Sequence, residues 1–227
     1  MVVLRLRLIL KLGITALLLV AKTITGTAQP PVILDKPIVF DEERLRLTRE
    51  YLQEHYGIAT DTPSIVPQMI VVHWTAYPTL KRSYEAFYAP TLSSDRPNIR
   101  QASQLNVSVP YLIDRDGTIY QLMPDTLMAR HVIGLNHCAI GIENVGDGRA
   151  HPLTSAQLEA NEQLIRYLFK RHPIEYVIGH HEYRRFIGHP LWKELDPTYL
   201  TDKDDPGDAF MRQLRKRLSD LPLQPLP

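Results

Sequence analysis

The apolar run Met69-Ile70-Val71-Val72 ends on a histidine, His73. Far downstream stand Gly179-His180 and then Lys203-Asp204-Asp205-Pro206-Gly207. Two imidazoles and one carboxylate on separate elements make the three-ligand set that a catalytic zinc uses when its fourth position is left to water. Residues so distant can meet only through the fold, so this chemistry, metal-assisted hydrolysis, is also an expectation about tertiary structure.

Each piece has a plainer reading. A polar ring at the end of an apolar strand costs free energy unless it is paired, and a satisfied structural histidine at position 73 would meet that need. His180 and His181 are neighbours after a short strand, and strand alternation turns only one of them toward a given point. The run His181-Glu182-Tyr183-Arg184-Arg185 approaches the H-E-x-x-H protease helix, but Arg185 stands where the second histidine is needed, so that motif fails. Asp205 before Pro206 reads equally as the N-cap of a final helix. In Ala139-Ile140-Gly141-Ile142-Glu143, the small residues share a face with Glu143. That carboxylate either faces solvent or has a perturbed pKa suited to acid–base work.

The elements that must position these groups follow from pattern. Asp41 caps a helix whose apolar residues include Leu45, Tyr51, Leu52 and Tyr56, and Gly57 ends it. Residues 68–73 are apolar on both faces and read as a central strand. Residues 79–88 read as a helix, and residues 91–104 as polar and irregular. Segments 107–114 and 118–123 flank Arg115-Asp116-Gly117, a hairpin signal. Residues 139–145 and 176–179 read as strands. Thr154 with Gln157 gives a capping-box pattern ahead of a helix. Residues 208–218 form a last helix. Residues 29–39 are proline-rich and read as an extended lead-in. The stretch of about 25 residues between Glu182 and Pro206 lacks periodicity, and loops of that length are usually functional. Interleaved strands and helices around one mixed sheet define an α/β (α+β) class in a single domain.

Composition bounds the rest. Residues 1–28 carry Arg5, Arg7, Lys11 and Lys22, a short apolar run and the small residues Gly26-Thr27-Ala28. They read as a secretory signal peptide, with residues 29–227 as the mature domain, secreted or periplasmic and without a stable membrane span. Removing that segment lowers Lys plus Arg from 26 to 22 against 25 Asp plus Glu, a net charge of about −3. A nucleic-acid partner would call for a basic excess that this chain lacks. Cys138 is the only cysteine, which excludes an intrachain disulfide and a thiolate zinc cluster.

Taken in order, these residues resemble the type-2 family of zinc-dependent N-acetylmuramoyl-L-alanine amidases, which is related to phage amidase lysozymes and peptidoglycan recognition proteins. The resemblance spans residues 68–210. It lies in Val71-Val72-His73-Trp74-Thr75-Ala76, the hairpin segment from Val107 to Gly117, Ala129-Arg130-His131, the stretch from Asn136 to Gly146, Gly179-His180, and the Lys203-x-Asp205-Pro206-Gly207 ending. It implies that His73, His180 and Asp205 hold Zn²⁺. It further implies that Glu143 and Lys203 are catalytic, and that His131, Trp74, Arg130 and Asn136 contact substrate. The implied substrate is peptidoglycan or a muropeptide, and the implied state is a monomer. The other implied reading is a peptidoglycan-binding module without hydrolysis, but binding-only relatives lack the third ligand that Asp205 matches. Pro110 stands where many relatives have His, and the loop from His180 to Lys203 is longer than in compact relatives. Both departures bear on specificity more than on chemistry.

Overall fold

The computed structural model describes residues 29–94 and 97–227, so the proposed signal peptide lies outside the described residues. Six strands form one sheet in the order β1-β4-β3-β5-β2-β6. They are β1 Ile33–Asp35, β2 Met69–Trp74, β3 Tyr111–Ile113, β4 Ile119–Gln121, β5 Ala139–Asn144 and β6 Tyr176–Gly179. Among the described residues, the β3–β4 hairpin is the one antiparallel pairing between these strands, and the others are parallel. The helices are α1 Glu42–Tyr56, α2 Leu80–Tyr88, α3 Pro97–Ala102, α4 Ser155–Phe169 and α5 Asp208–Arg217, and a 3₁₀ segment runs from His180 to Phe186.

The central strands are buried on both faces, which is why their sequences are continuously apolar rather than alternating. Ile70 and Val72 of β2, with Ile140 and Ile142 of β5, pack against Leu158, Leu164, Ile165 and Leu168 of α4 and Met211 and Leu214 of α5. Their opposite neighbours, Met69, Val71 and Ala139, pack against Val132, Ile133, Ile178, Tyr183 and Phe186. The second face therefore carries loops and the 3₁₀ turn, and this is the face onto which His73 and Glu143 project. The end of β2 is pinned through the sheet. Asn144 Nδ2 donates to the His73 carbonyl at 3.0 Å, and Asn161 Nδ2 of α4 donates to Asn144 Oδ1 at 2.7 Å.

Caps set the helix boundaries where the sequence placed them. Asp41 accepts from the Arg44 amide, Thr79 from the Arg82 amide, and Thr154 forms a full capping box with Gln157. Gly57 closes α1 at φ 65°, a left-handed conformation that glycine adopts without strain.

Three features depart from the sequence reading. The lead-in contains a short strand: β1 pairs with β4, because an open hairpin edge can accept a further strand. The segment read as irregular before the hairpin contains α3. Helix α1 buries Arg44, Leu47 and Thr48 beside Tyr51, Leu52 and Tyr56, while Leu45 is only half-buried. Arg44 is tolerated there because its guanidinium donates to the carbonyls of Val39, Phe87, Tyr88 and Ala89.

Candidate active site and metal centre

The carboxyl ends of β2, β5 and β6 converge on one cleft of about 510 Å³. Ligands of open sheets with parallel strands bind at such ends, because the connecting loops gather there. His73 is the penultimate residue of β2, His180 follows β6 immediately, and Asp205 lies just before α5. Their side chains meet. His73 Nδ1 lies 2.9 Å from His180 Nδ1, and Asp205 Oδ2 lies 3.1 Å from each of them. All three residues are buried.

A triangle of three lone-pair atoms at this spacing suits a small cation. A tetrahedral site with bonds of about 2.0–2.1 Å has edges of about 3.3 Å, so the observed triangle needs to open only slightly. The protonation states also suit it. Burial lowers the His180 pKa to about 4, against the opposing pull of Asp205, so its ring is neutral at pH 7. Burial pushes the Asp205 carboxyl up, but His180 and His73 beside it outweigh that and hold it well below the usual carboxylate range. His180 and Asp205 are therefore in the neutral-imidazole and carboxylate forms that bind metal.

Asp205 does not cap the last helix. The cap position of α5 is Gly207, with no side-chain hydrogen bond, and the carboxylate of Asp205 turns to the two histidines. His181 turns away from the triangle. Its backbone amide and its Nδ1 both donate to the Asp205 carbonyl at 3.0 Å, and its Nε2 lies 3.0 Å from Asp208 Oδ1. The neighbour of one ligand thus ties down the backbone of another.

Glu143 occupies the register position of His73 on the adjacent strand β5, is 9% exposed and lines the same cleft. Lys203 is exposed and lines the same cleft. Trp74 is half-buried along it, with its ring lying against Gly148, where an added Cβ would come within 2.0 Å.

The remaining three residues are built into the walls. Arg130 is 3% exposed, and its guanidinium donates to the carbonyls of Ile99, Ser103 and Leu105 and to the Tyr199 hydroxyl. Asn136 is fully buried; its Oδ1 accepts from the amides of His131 and Val132, and its Nδ2 donates to the Tyr56 hydroxyl. His131 has both ring nitrogens engaged inside the protein, Nδ1 with His73 Nε2 at 3.0 Å and Nε2 with the Ala139 carbonyl at 3.3 Å. Both ring nitrogens of His131 are thus engaged within the protein, while the residue still borders the cleft. Arg130 and Asn136 likewise spend their polar groups on the fold.

Sequence reasoning missed other wall residues, notably Tyr77, Ile133, Tyr199 and Thr201. Tyr199 and Thr201 come from the long loop after the 3₁₀ segment, and the length of that loop was the available signal. The loop is fastened to α1 by a buried pair, His55 Nδ1 to Glu194 Oε1 at 2.9 Å. No spacing rule announces that contact.

A mixed sheet with a buried His-His-Asp triangle and a flanking glutamate at its parallel-strand ends defines the molecule as a hydrolase-like protein with a candidate metal centre. More specifically, the chain belongs to the N-acetylmuramoyl-L-alanine amidase family, whose model matches residues 50–208. Its fold is similar to the N-acetylmuramoyl-L-alanine amidase LysC from Clostridium intestinale URNW, with a TM-score of 0.53 and 19% identity over 83% of this chain and 98% of that one. The endolysin amidase LysCS from the same organism matches with a TM-score of 0.50 and 18% identity over 84% and 97%. Peptidoglycan recognition protein-LE, solved in complex with tracheal cytotoxin, matches with a TM-score of 0.50 and 14% identity over 77% and 92%. No curated protein matches the chain.

Proposed function

We propose that this family member is a zinc-dependent amidase that cleaves the amide between the lactyl group of N-acetylmuramic acid and the L-alanine of the stem peptide, in peptidoglycan or a muropeptide. The observation that carries the reading is the buried triangle of His73 Nδ1, His180 Nδ1 and Asp205 Oδ2 with Glu143 on the adjoining strand. Those three atoms would hold the ion, and zinc bound there supplies Lewis acidity toward a carbonyl and a lowered pKa for water.

The residues of the chain divide the remaining work. Glu143 accepts a proton from the attacking water and returns it to the leaving nitrogen, as a positioned carboxylate can in a partly dry site. Lys203, two residues from Asp205, offers its ammonium to the negative charge that develops on the carbonyl oxygen. Trp74, Tyr77 and Tyr199 give the cleft half-buried aromatic walls against which a glycan and peptide can lie.

The protein acts as a monomer outside the cytoplasm. The basic, then apolar, then small-residue pattern of residues 1–28 supports export. Among the described residues, no helix is long and apolar enough to cross a membrane.

The test is digestion of a defined muropeptide by the purified protein, with mass analysis of the products. Release of the intact stem peptide is expected, with loss of activity on chelation and recovery on adding Zn²⁺. Wall binding without any cleavage would replace this reading with a binding module. Full activity in a metal-free preparation would overturn the role of zinc.

A further inference from the structure

We infer that His131 is a positioning residue for His73: it fixes which ring nitrogen of His73 carries the proton, and thereby keeps Nδ1 bare on the side of the triangle. The inference rests on the zinc reading above and deepens it.

The argument is one of donors and acceptors along a chain of three groups. The Ala139 carbonyl can only accept, and it lies 3.3 Å from His131 Nε2, so that nitrogen carries the hydrogen. A neutral imidazole with its hydrogen on Nε2 has a bare lone pair on Nδ1. That lone pair faces His73 Nε2 at 3.0 Å. Within the triangle a cation can lie among three lone pairs, but His131 Nδ1 and His73 Nε2 face each other as a single pair, so one of them must donate and that donor is His73 Nε2. The remaining nitrogen of His73 is Nδ1, which is left as an acceptor, and it is the atom that meets His180 and Asp205. Histidines that bind metal are oriented in the same way, by an acceptor on the nitrogen away from the ion. Here that acceptor is a second imidazole anchored on a strand backbone.

The surroundings hold His131 in this pose. Asn136 Oδ1 accepts from the His131 amide at 2.9 Å, which fixes the backbone. The ring meets that of His73 edge-on, with centroids 5.1 Å apart and an interplanar angle of 89°. It lies directly over Gly141, where an added Cβ would fall 2.9 Å from His131 Cγ. The absence of a side chain at Gly141 is therefore what lets the ring reach His73.

The test uses two nearly isosteric replacements. His131→Asn presents an amide oxygen near the position of Nδ1, whereas His131→Leu presents only carbon. Zinc affinity is measured for each by competition with a chromophoric chelator, and metal-free melting is measured alongside. His131→Leu is expected to weaken zinc binding by about 10–100-fold, the range for losing such a partner. His131→Asn should stay close to the unmutated protein. In the unmutated protein, ¹⁵N-histidine NMR should show coupling across the hydrogen bond between His73 Nε2 and His131 Nδ1, with the proton on His73. Unchanged affinity in His131→Leu, equal weakening in both variants, or a proton found on His131 Nδ1 would overturn the inference alone. Failure of the unmutated protein to bind zinc would overturn it together with the zinc reading. Should His131→Leu not fold, the asparagine variant and the NMR measurement still decide.

Discussion

His73 and Glu143 sit on the same rung of the sheet, paired in register across the parallel strands β2 and β5. Strands in a sheet are about 4.8 Å apart, so a residue on one strand and its register partner present side chains to the same space. The sheet itself thus places a candidate proton acceptor beside a candidate metal ligand, without help from any loop.

This pairing separates binding from chemistry. Glu143→Gln keeps the shape of the side chain but removes its ability to take a proton. The variant is expected to bind one zinc and to bind cell wall normally, while kcat falls by about 10²–10⁴-fold. Metal analysis and turnover on a defined muropeptide check both halves. Near-normal turnover, or loss of the metal, would show that Glu143 is structural or a ligand.

The adjacent histidines should differ in kind. His180 contributes Nδ1 to the triangle, whereas His181 holds the Asp205 carbonyl through its amide and ring. His180→Ala should lose zinc. His181→Ala retains the backbone hydrogen bond and should keep most of its zinc, with affinity weakened by no more than about tenfold, the lower end for an outer partner. Equilibrium dialysis of the two variants distinguishes them, and the reverse ranking would reassign the ligand.

Gly141→Ala tests the space under His131. The new Cβ would lie 2.8 Å from Val109 Cγ1 and 2.9 Å from His131 Cγ, closer than side chains tolerate. Overpacking of this kind costs about 1–3 kcal/mol. Lower stability in denaturant titration and weaker zinc binding are expected together. A variant as stable as the parent would mean that the strand yields at that point.

His137 supplies a pH dependence remote from the triangle. Burial, with Lys193 nearby, lowers its pKa from the ordinary 6.5 to about 4. Between those values the unfolded chain binds more protons than the folded one, so stability rises with pH across that window. His137→Gln removes this titration and should flatten the rise by roughly 1–3 kcal/mol. Chemical denaturation at about pH 4.5 and about pH 7.5 measures it. An unchanged difference between the two pH values in the variant would show that other groups carry the dependence.

Much of the fold could be read locally. The strand of residues 69–74 has no polar face, and Asp41, Thr79 and Thr154 cap helices through their own side chains. Such signals depend on neighbours within a turn or two, so the chain states them itself. β1 was not legible, because three residues become a strand only when β4 offers an edge. The burial of Arg44 escaped for a similar reason: its partners are the Val39 carbonyl and the carbonyls at the end of α2, and the latter lie far along the chain.

The sequence by itself determined which chemistries were possible. His73, His180, Asp205 and Glu143 are residue types that can hold a metal and move a proton, and family motifs ordered them. It could not say whether Asp205 capped a helix or faced two imidazoles, since the local pattern Asp-Pro-Gly serves both. Nor could it say that the ring of His131 meets that of His73. Only the tertiary structure decided those questions, because a hydrogen bond between His131 and His73 depends on the distance between two loop-and-strand positions, and sequence separation carries no information about that distance.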